Sequence, residues 1–258
     1  MDTHRTYRAD AIVLRRVNIG ETDRVVTLYT RNKGKVATIA KGARKSLSRL
    51  AAATEPFIFG RYMLATGQNL DVMTQVEIKE SFSKIRKNVE RVAYAIYFLE
   101  LVDSFTEERE IGQDIFDTLL SSLYLLENGV RPQITARSFE MKLSALLGYS
   151  PQLNACLRCD AVPEGQELTY SPSLGGLVCR ECGPLPEDVL YLHRESVSAM
   201  KRLLVAEPAQ LREMILSPEN LKEVTQALRR HIRYRLERDL RSAEFLQSLT
   251  ILAADEKL

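Results

Sequence analysis

The sequence predicts an α+β protein: an N-terminal five-stranded barrel, then an α-helical domain with an inserted four-cysteine module. Three observations carry this prediction. Residues 1–80 alternate β-branched runs with turn residues, the apolar period becomes helical from about residue 81, and all four cysteines fall in one Gly- and Pro-rich stretch. The boundaries expected from these shifts are 1–80 for the barrel, 81–150 and 191–258 for the two parts of the helical domain, and 151–190 for the module. A chain of 258 residues has room for one large domain or two to three small ones, each with its own core.

Within the barrel, Tyr7–Arg15 and Arg24–Thr30 read as strands separated by the turn-like Asn18-Ile19-Gly20-Glu21. Arg31-Asn32-Lys33-Gly34 then makes a hairpin connection to Lys35–Ala40. After a polar loop, Phe57–Ala65 reads as a fourth strand. Thr66-Gly67-Gln68-Asn69 turns it into a fifth, where Leu70, Val72, Thr74, Val76 and Ile78 alternate with polar neighbours as on a half-buried strand. Five short antiparallel strands suit a small closed barrel. An OB-fold is the leading candidate, and an SH3-like barrel fits the same pattern.

The helical reading rests on period and punctuation. The run Val92–Leu99 is too short to span a bilayer and ends at Glu100, so it reads as a core helix. Ile111, Ile115, Leu119, Leu123 and Leu126 line one helical face that stops at Asn128-Gly129. Pro132 suits the start of the next helix and Gly148 its end. Beyond residue 190, Val197, Met200, Leu203 and Leu204 form a stripe. Ser217-Pro218 opens a longer helix carrying Leu221, Val224, Leu228, Ile232 and Leu236.

Cys156-Leu157-Arg158-Cys159 and Cys179-Arg180-Glu181-Cys182 are two C-x-x-C knuckles nineteen residues apart, a spacing that matches the four-cysteine zinc template. Each knuckle brings two thiolates to one ion, and the second pair completes a tetrahedron. With all four cysteines consumed no coordination position stays open, which predicts one structural rather than catalytic Zn2+. The alternatives are two disulfides, an iron–sulfur cluster and a site that has lost its metal; the spacing disfavours the first two, and a thioredoxin-like motif is disfavoured because two such pairs flank a Gly-rich turn and no βαβ unit surrounds them.

Charge is unevenly spread. Residues 1–50 hold 12 Lys and Arg against 4 Asp and Glu, a net charge of +8; with the whole chain at +2, the rest carries −6. A basic end on a mildly acidic body is the footprint of a polyanion-binding protein; a solvated face without a partner is the bland reading. The candidate DNA-binding residues are Arg15, Arg24, Lys35, Lys41, Arg44, Lys45 and Arg49, the last four crowded into one flexible loop. The chain has no Trp, so stacking would fall to Tyr29, Phe57, Phe59 or Tyr62, each better read as core. A second basic run, Arg229–Arg235, reads equally as a DNA track or as a solvated face paired with Glu237 and Asp239.

Catalytic signatures are absent. Asn32-Lys33-Gly34-Lys35 is a turn and not a phosphate loop, no carboxylates cluster as in a nuclease, and His4, His193 and His231 read as surface or capping residues. Neither a secretory signal nor a membrane span is expected, and four cysteines of this spacing suit a reducing cytoplasm.

Taken together, Ile19-Gly20-Glu21-Thr22-Asp23-Arg24-Val25-Val26-Thr27-Leu28-Tyr29-Thr30, Gly34-Lys35 and Lys41-Gly42-Ala43-Arg44-Lys45 resemble the N-terminal signature of the RecO family of recombination mediators. Leu146-Leu147-Gly148-Tyr149-Ser150-Pro151 leading into Cys156 and Cys159, and Gly175-Gly176-Leu177-Val178-Cys179, are similar to its zinc module. Tyr170 stands where the family pattern has Phe. The resemblance spans essentially the whole chain. It implies an N-terminal OB-fold, a helical domain with an inserted zinc module, and no ATPase. It also implies binding to single- and double-stranded DNA, annealing of complementary strands, and partnership with RecR and with the C-terminal tail of single-stranded DNA-binding protein (SSB), so that RecA can load. The rival from another class is a zinc-ribbon protein-interaction adaptor whose basic end only keeps it soluble. A metal-dependent nuclease and a sequence-specific transcription factor are weaker still.

Overall fold

The β-branched runs of the N-terminal part form five strands: β1 (Thr6–Ile19), β2 (Asp23–Thr30), β3 (Gly34–Ala40), β4 (Phe59–Ala65) and β5 (Asp71–Glu80). A one-turn helix, α1 (Leu50–Ala53), lies in the loop between β3 and β4. In this computed structural model, which describes residues 6–255, the strands close a barrel in the order β1-β2-β3-β5-β4. The order is that of an OB-fold, which resolves the choice of barrel. One neighbour pair departs from the antiparallel expectation: β3 and β5 run parallel, Thr38 beside Asp71 and Ile39 beside Val72. They are joined through α1 and β4 instead of a hairpin, and such a crossover can deliver a parallel neighbour.

Ala11, Val13, Val26, Leu28, Ala40, Tyr62, Leu64 and Met73 fill the barrel. β1 continues through Asn18 and Ile19, so the turn is shorter than the sequence suggested. Phe57 precedes β4 in a left-handed conformation, φ +54°. The inward face of β5 also differs from the expected stripe. Asp71 and Met73 are buried, and Thr74 and Ile78 are exposed. A register shift opposite Met63 and Leu64 changes which face points inward, so a strict period of 2 fails across it. Gly34 opens β3 at φ +63°, and a Cβ there would lie 1.8 Å from the Glu110 carbonyl oxygen. Arg109 N–H donates to the Lys35 carbonyl nearby, 2.8 Å, so this glycine lets residues 108–110 lie against the hairpin.

The chain divides into two compact units: residues up to Asn128 with those from Arg241, and Gly129–Leu240. The first adds to the barrel α2 (Ser83–Arg86), α3 (Val89–Phe105), α4 (Gln113–Glu127) and α9 (Arg241–Asp255). Asn88 caps α3 by accepting from Arg91 N–H, 2.9 Å. Ile115, Leu119, Leu123 and Leu126 are buried on α4 as expected. Ile111 falls before the helix and is 62% exposed, because Gly112 is the N-cap and the stripe ends one turn sooner. Glu100 on α3 accepts from the backbone N–H groups of Arg241 and Ser242, 3.2 and 2.9 Å, and so holds the start of α9.

The second unit contains α5 (Pro132–Leu146), β6 (Glu167–Ser171), β7 (Gly176–Leu177), β8 (Leu190–His193), α6 (Arg194–Val205), α7 (Pro208–Glu213) and α8 (Pro218–Leu236). Pro132 begins α5, Gly148 follows it at φ +79°, and Ser217 caps α8 by accepting from Asn220 N–H, 3.1 Å. The cysteine module is inserted between α5 and α6 around a small sheet, β7-β6-β8. No helix among the described residues is long and apolar enough to cross a membrane.

His231 is 1% exposed, not a surface residue, because α8 turns it inward with Leu228 and Ile232. Its Nε2 lies 2.8 Å from the Tyr149 carbonyl oxygen, which can only accept; its Nδ1 therefore accepts from the Tyr170 hydroxyl at 2.9 Å. The ring thus ties α8 to β6 and to the end of the α5 segment. Burial pushes its pKa down to about 4, with nearby Arg235 acting in the same direction against the Tyr149 bond. An exposed His takes up a proton near pH 6.5, so the unfolded chain protonates first as pH falls. The stability contributed by a neutral His231 is whole above about pH 6.5 and is lost between there and pH 4, on the order of 3 kcal/mol. Urea midpoints measured from pH 8 to pH 4 should therefore fall more steeply for the wild type than for His231→Phe, which starts lower; parallel curves would remove His231 as the titrating clamp.

Candidate metal centre and nucleic-acid interface

The two knuckles are brought together by backbone pairing. Gln152 N–H donates to Gly175 O (3.0 Å), Leu177 N–H to Gln152 O (2.9 Å) and Leu157 N–H to Leu177 O (2.9 Å), so the first knuckle lies along β7, which leads into the second. Gly176 permits this approach, since a Cβ there would stand 2.7 Å from the Gln152 carbonyl oxygen. The Sγ atoms are separated by 3.6 Å (Cys156–Cys182), 3.5 Å (Cys159–Cys179) and 3.2 Å (Cys179–Cys182), and none is disulfide-bonded. Four sulfurs each about 2.3 Å from a zinc ion sit roughly 3.8 Å apart, so the donor set is compatible with tetrahedral zinc. Arg158 and Cys179 N–H groups point at Cys156 Sγ (3.4 and 3.3 Å) and support its thiolate. Burial alone would raise the Cys156 pKa, but these donors bring it down to about 6. Hydrogen bonding to Cys182 holds the Cys179 thiol up at about 12. Without a cation the cluster ionises unevenly; four thiolates at this spacing need a positive charge among them.

The basic residues divide by what they touch. Lys41, Arg44, Lys45 and Arg49 are exposed on the loop after β3. That loop is pinned to the β1–β2 turn. Asp23 Oδ1 accepts from Gly42 N–H at 2.8 Å, Arg44 N–H donates to Thr22 O at 2.9 Å, and Arg44 Nη1 to Gly20 O at 2.8 Å. The Gly42 N–H, with the Thr22 hydroxyl, holds the Asp23 carboxyl below the usual range. Arg15 is exposed on β1 and pairs with Asp103 at 2.8 Å. Arg24 and Lys35 face inward, each with a side chain only 13% exposed. Arg24 Nη1 donates to Ala51 O (3.1 Å), Thr54 Oγ1 (2.7 Å) and Glu55 (3.2 Å); Lys35 Nζ donates to Asp103 O (2.6 Å). Arg24 thus braces the segment after the loop, and Lys35 ties the start of β3 to α3. Arg16, a barrel cation not among the candidates chosen from the sequence, pairs with Glu55 at 3.0 Å and, despite following Arg15 on the strand, lines one cleft with it.

Tyr29, Phe57, Phe59 and Tyr62 are all buried, as the core reading expected. Tyr62 donates to Ala53 O (2.8 Å), and Phe57 lies under the Arg86 guanidinium. Leu47 is 95% exposed in the basic loop, beside no exposed ring of the barrel among the described residues. In the second basic run, Arg233 pairs with Asp239 at 3.1 Å and Arg235 donates to Ser173 O at 3.1 Å. His193 is an exposed capping residue. Its N–H and Nδ1 meet the two Glu223 oxygens at 2.8 and 2.6 Å at the start of α6, and Glu223 raises its pKa. His4 lies outside the described residues.

Residues 1–82 match the family model described as Recombination protein O N terminal, and residues 86–244 that of Recombination protein O C terminal. The chain is 40% identical over 246 residues to the DNA repair protein RecO of Symbiobacterium thermophilum, covering 94% of this chain and 97% of that protein. It is 38% identical over 240 residues to RecO of Pelotomaculum thermopropionicum, 93% of each. With RecO of Roseiflexus sp. it shares 38% over 248 residues, 95% of this chain and 86% of the other. With both halves of the family pattern matched in order on an OB barrel and a four-cysteine helical unit, the chain belongs to the RecO family of DNA repair proteins.

Proposed function

We propose that this chain is a recombination mediator of the cytoplasm that makes and breaks no covalent bonds. It binds single- and double-stranded DNA through its barrel, anneals complementary strands, and with RecR helps load RecA onto strands coated by SSB, whose acidic, aromatic-ended tail it engages. The observation that carries this reading is the loop at 41–49. The loop is fixed against the Gly20–Asp23 turn by three hydrogen bonds, one of them from the Arg44 guanidinium; among the described residues none of its four exposed cations pairs with a carboxylate within 4 Å, and Asp23 meets Lys41 and Lys45 only at longer range. Cations so placed are free to meet phosphates. By screening two backbones at once they lower the repulsion that opposes pairing, and base pairing supplies the free energy.

Among the seven candidate cations, Arg15, Lys41, Arg44, Lys45 and Arg49 would touch DNA, while Arg24 and Lys35 hold the platform. Neutralising Lys41, Arg44 and Lys45 together should weaken single-strand binding by about 1 kcal/mol or more, and flatten the plot of log affinity against log salt by close to one unit per lost contact. Annealing of SSB-coated complementary oligonucleotides, without ATP, should slow in parallel. An unchanged salt slope would take the loop out of the DNA site, and absence of annealing by the wild type would favour the adaptor.

The cysteines would hold one zinc ion as a scaffold that folds a stretch too small to sustain itself. The paired change Cys156→Ser and Cys179→Ser should remove one zinc per chain and lower the thermal midpoint, leaving affinity for single strands within about twofold, since the phosphate contacts lie elsewhere. A parallel loss of DNA affinity in the still-folded variant would make the zinc part of the binding surface.

A further inference from the structure

Beside β1, a cleft of about 410 Å³ is lined by Leu14, Arg15, Arg16, Asn18, Pro56 and Ile96. The volume is within the range of small-ligand sites, and the lining combines apolar walls with two guanidinium groups. Consecutive side chains on a regular strand point to opposite faces, but here Leu14, Arg15 and Arg16 all line one cleft. The β1–β2 register shifts between Val13 and Arg15, interrupting the alternation at that point.

The charge on the rim decides what the cleft can take. Arg15 and Lys35 share one carboxylate, Asp103, at 2.8 and 3.3 Å. Arg16 and Arg24 share another, Glu55, at 3.0 and 3.2 Å. Each group of three therefore keeps one uncompensated positive charge, and Arg15 and Arg16 bring them to a cleft whose apolar walls are Leu14, Pro56 and Ile96. The same strand runs from this slot to the Gly20 turn that anchors Arg44, so slot and loop share one edge of the barrel.

We propose that this cleft receives one unpaired base of a DNA single strand, with the adjoining phosphates held by Arg15 and Arg16. The inference rests on the DNA-binding reading above and deepens it by naming where single-strandedness is sensed. The barrel shows no exposed aromatic ring among the described residues, so the usual stacking platform is missing and apolar contact in a slot takes its place. A base in a duplex is stacked and paired and cannot enter; a base of a single strand can turn out of the chain. Because the phosphates are held in either case, release of the base on pairing lets the strand pass to its complement without leaving the protein.

The test compares the full chain's affinity for a single-stranded oligonucleotide with its affinity for one of equal length and charge carrying abasic sites throughout. This comparison is made for the wild type and for Ile96→Gln, which makes one wall polar. The wild type should bind the abasic strand about tenfold more weakly, and Ile96→Gln should lose most of that difference while binding the abasic strand as the wild type does. A second probe uses the absence of tryptophan from the chain: in Asn18→Trp the single indole stands at the cleft mouth and should be quenched by the normal strand, not by the abasic one. Equal affinity for both strands, or the same difference in Ile96→Gln, overturns the inference while leaving the phosphate-binding reading intact. Quenching by an acidic, aromatic-ended peptide that does not compete with the oligonucleotide would also overturn it, since the slot would then be a protein site. Failure of either strand to bind would overturn the DNA reading itself.

Discussion

The barrel closes where β3 runs beside β5, and at that seam the first residue of β5, Asp71, has its side chain fully buried. A carboxylate withdrawn from water without partners costs several kcal/mol, so closure depends on donors reaching it. The Tyr7 hydroxyl comes from β1, the Gly67 N–H from the β4–β5 turn at 3.2 Å, and Arg109 from the segment before α4 at 3.3 Å. Burial, then the hydrogen bond to Asp71, pushes the Tyr7 pKa well up, so the phenol keeps its proton and goes on donating. One acidic group thus requires three separate stretches of chain to assemble together. What is proposed for the basic loop depends on that closure, because Asp71 lies beside Thr38, close to where β3 runs into the loop, and the β1–β2 turn belongs to the same closed sheet.

Given the closed barrel, the distribution of cations follows a simple division. Those whose side chains fold inward satisfy carboxylates and carbonyls and fix the loop, as Arg24 does for the Ala51–Glu55 segment. Those left outside have little competing for them. The two shared carboxylates, Asp103 and Glu55, orient Arg15 and Arg16 without cancelling the positive charge around them. A surface built this way attracts a polyanion and preserves its own geometry as salt rises, because exposed charges are screened before partly buried ones. In the second unit a different device acts, the buried His231 held between Tyr149 and Tyr170.

Much of this was legible in the residues. The strands of the barrel, the helix bounded by Pro132 and Gly148, the Ser217 cap and the four-cysteine module all follow from local chemistry that acts within a few residues, and the structure agrees. What escaped was set by distant partners. The parallel β3–β5 contact, the register shift that turns Asp71 inward in place of Leu70, and the burial of His231 each arise from tertiary pairing that no local period records. At the candidate site, charge counting found the basic edge, but it could not separate Arg24 and Lys35, which brace it, from the exposed loop cations. Nor could it single out Arg16 from the other barrel cations, since its relevance lies in a cleft formed with Pro56 and Ile96 from far along the chain.

Amide hydrogen exchange on the full chain, with and without a single-stranded oligonucleotide at low salt, tests the central claim most directly. The account predicts added protection in residues 14–24 and 41–56, with exchange at 156–182 unchanged. Protection centred on 156–182, with none along β1 or the basic loop, would contradict it and move recognition from the barrel to the cysteine module.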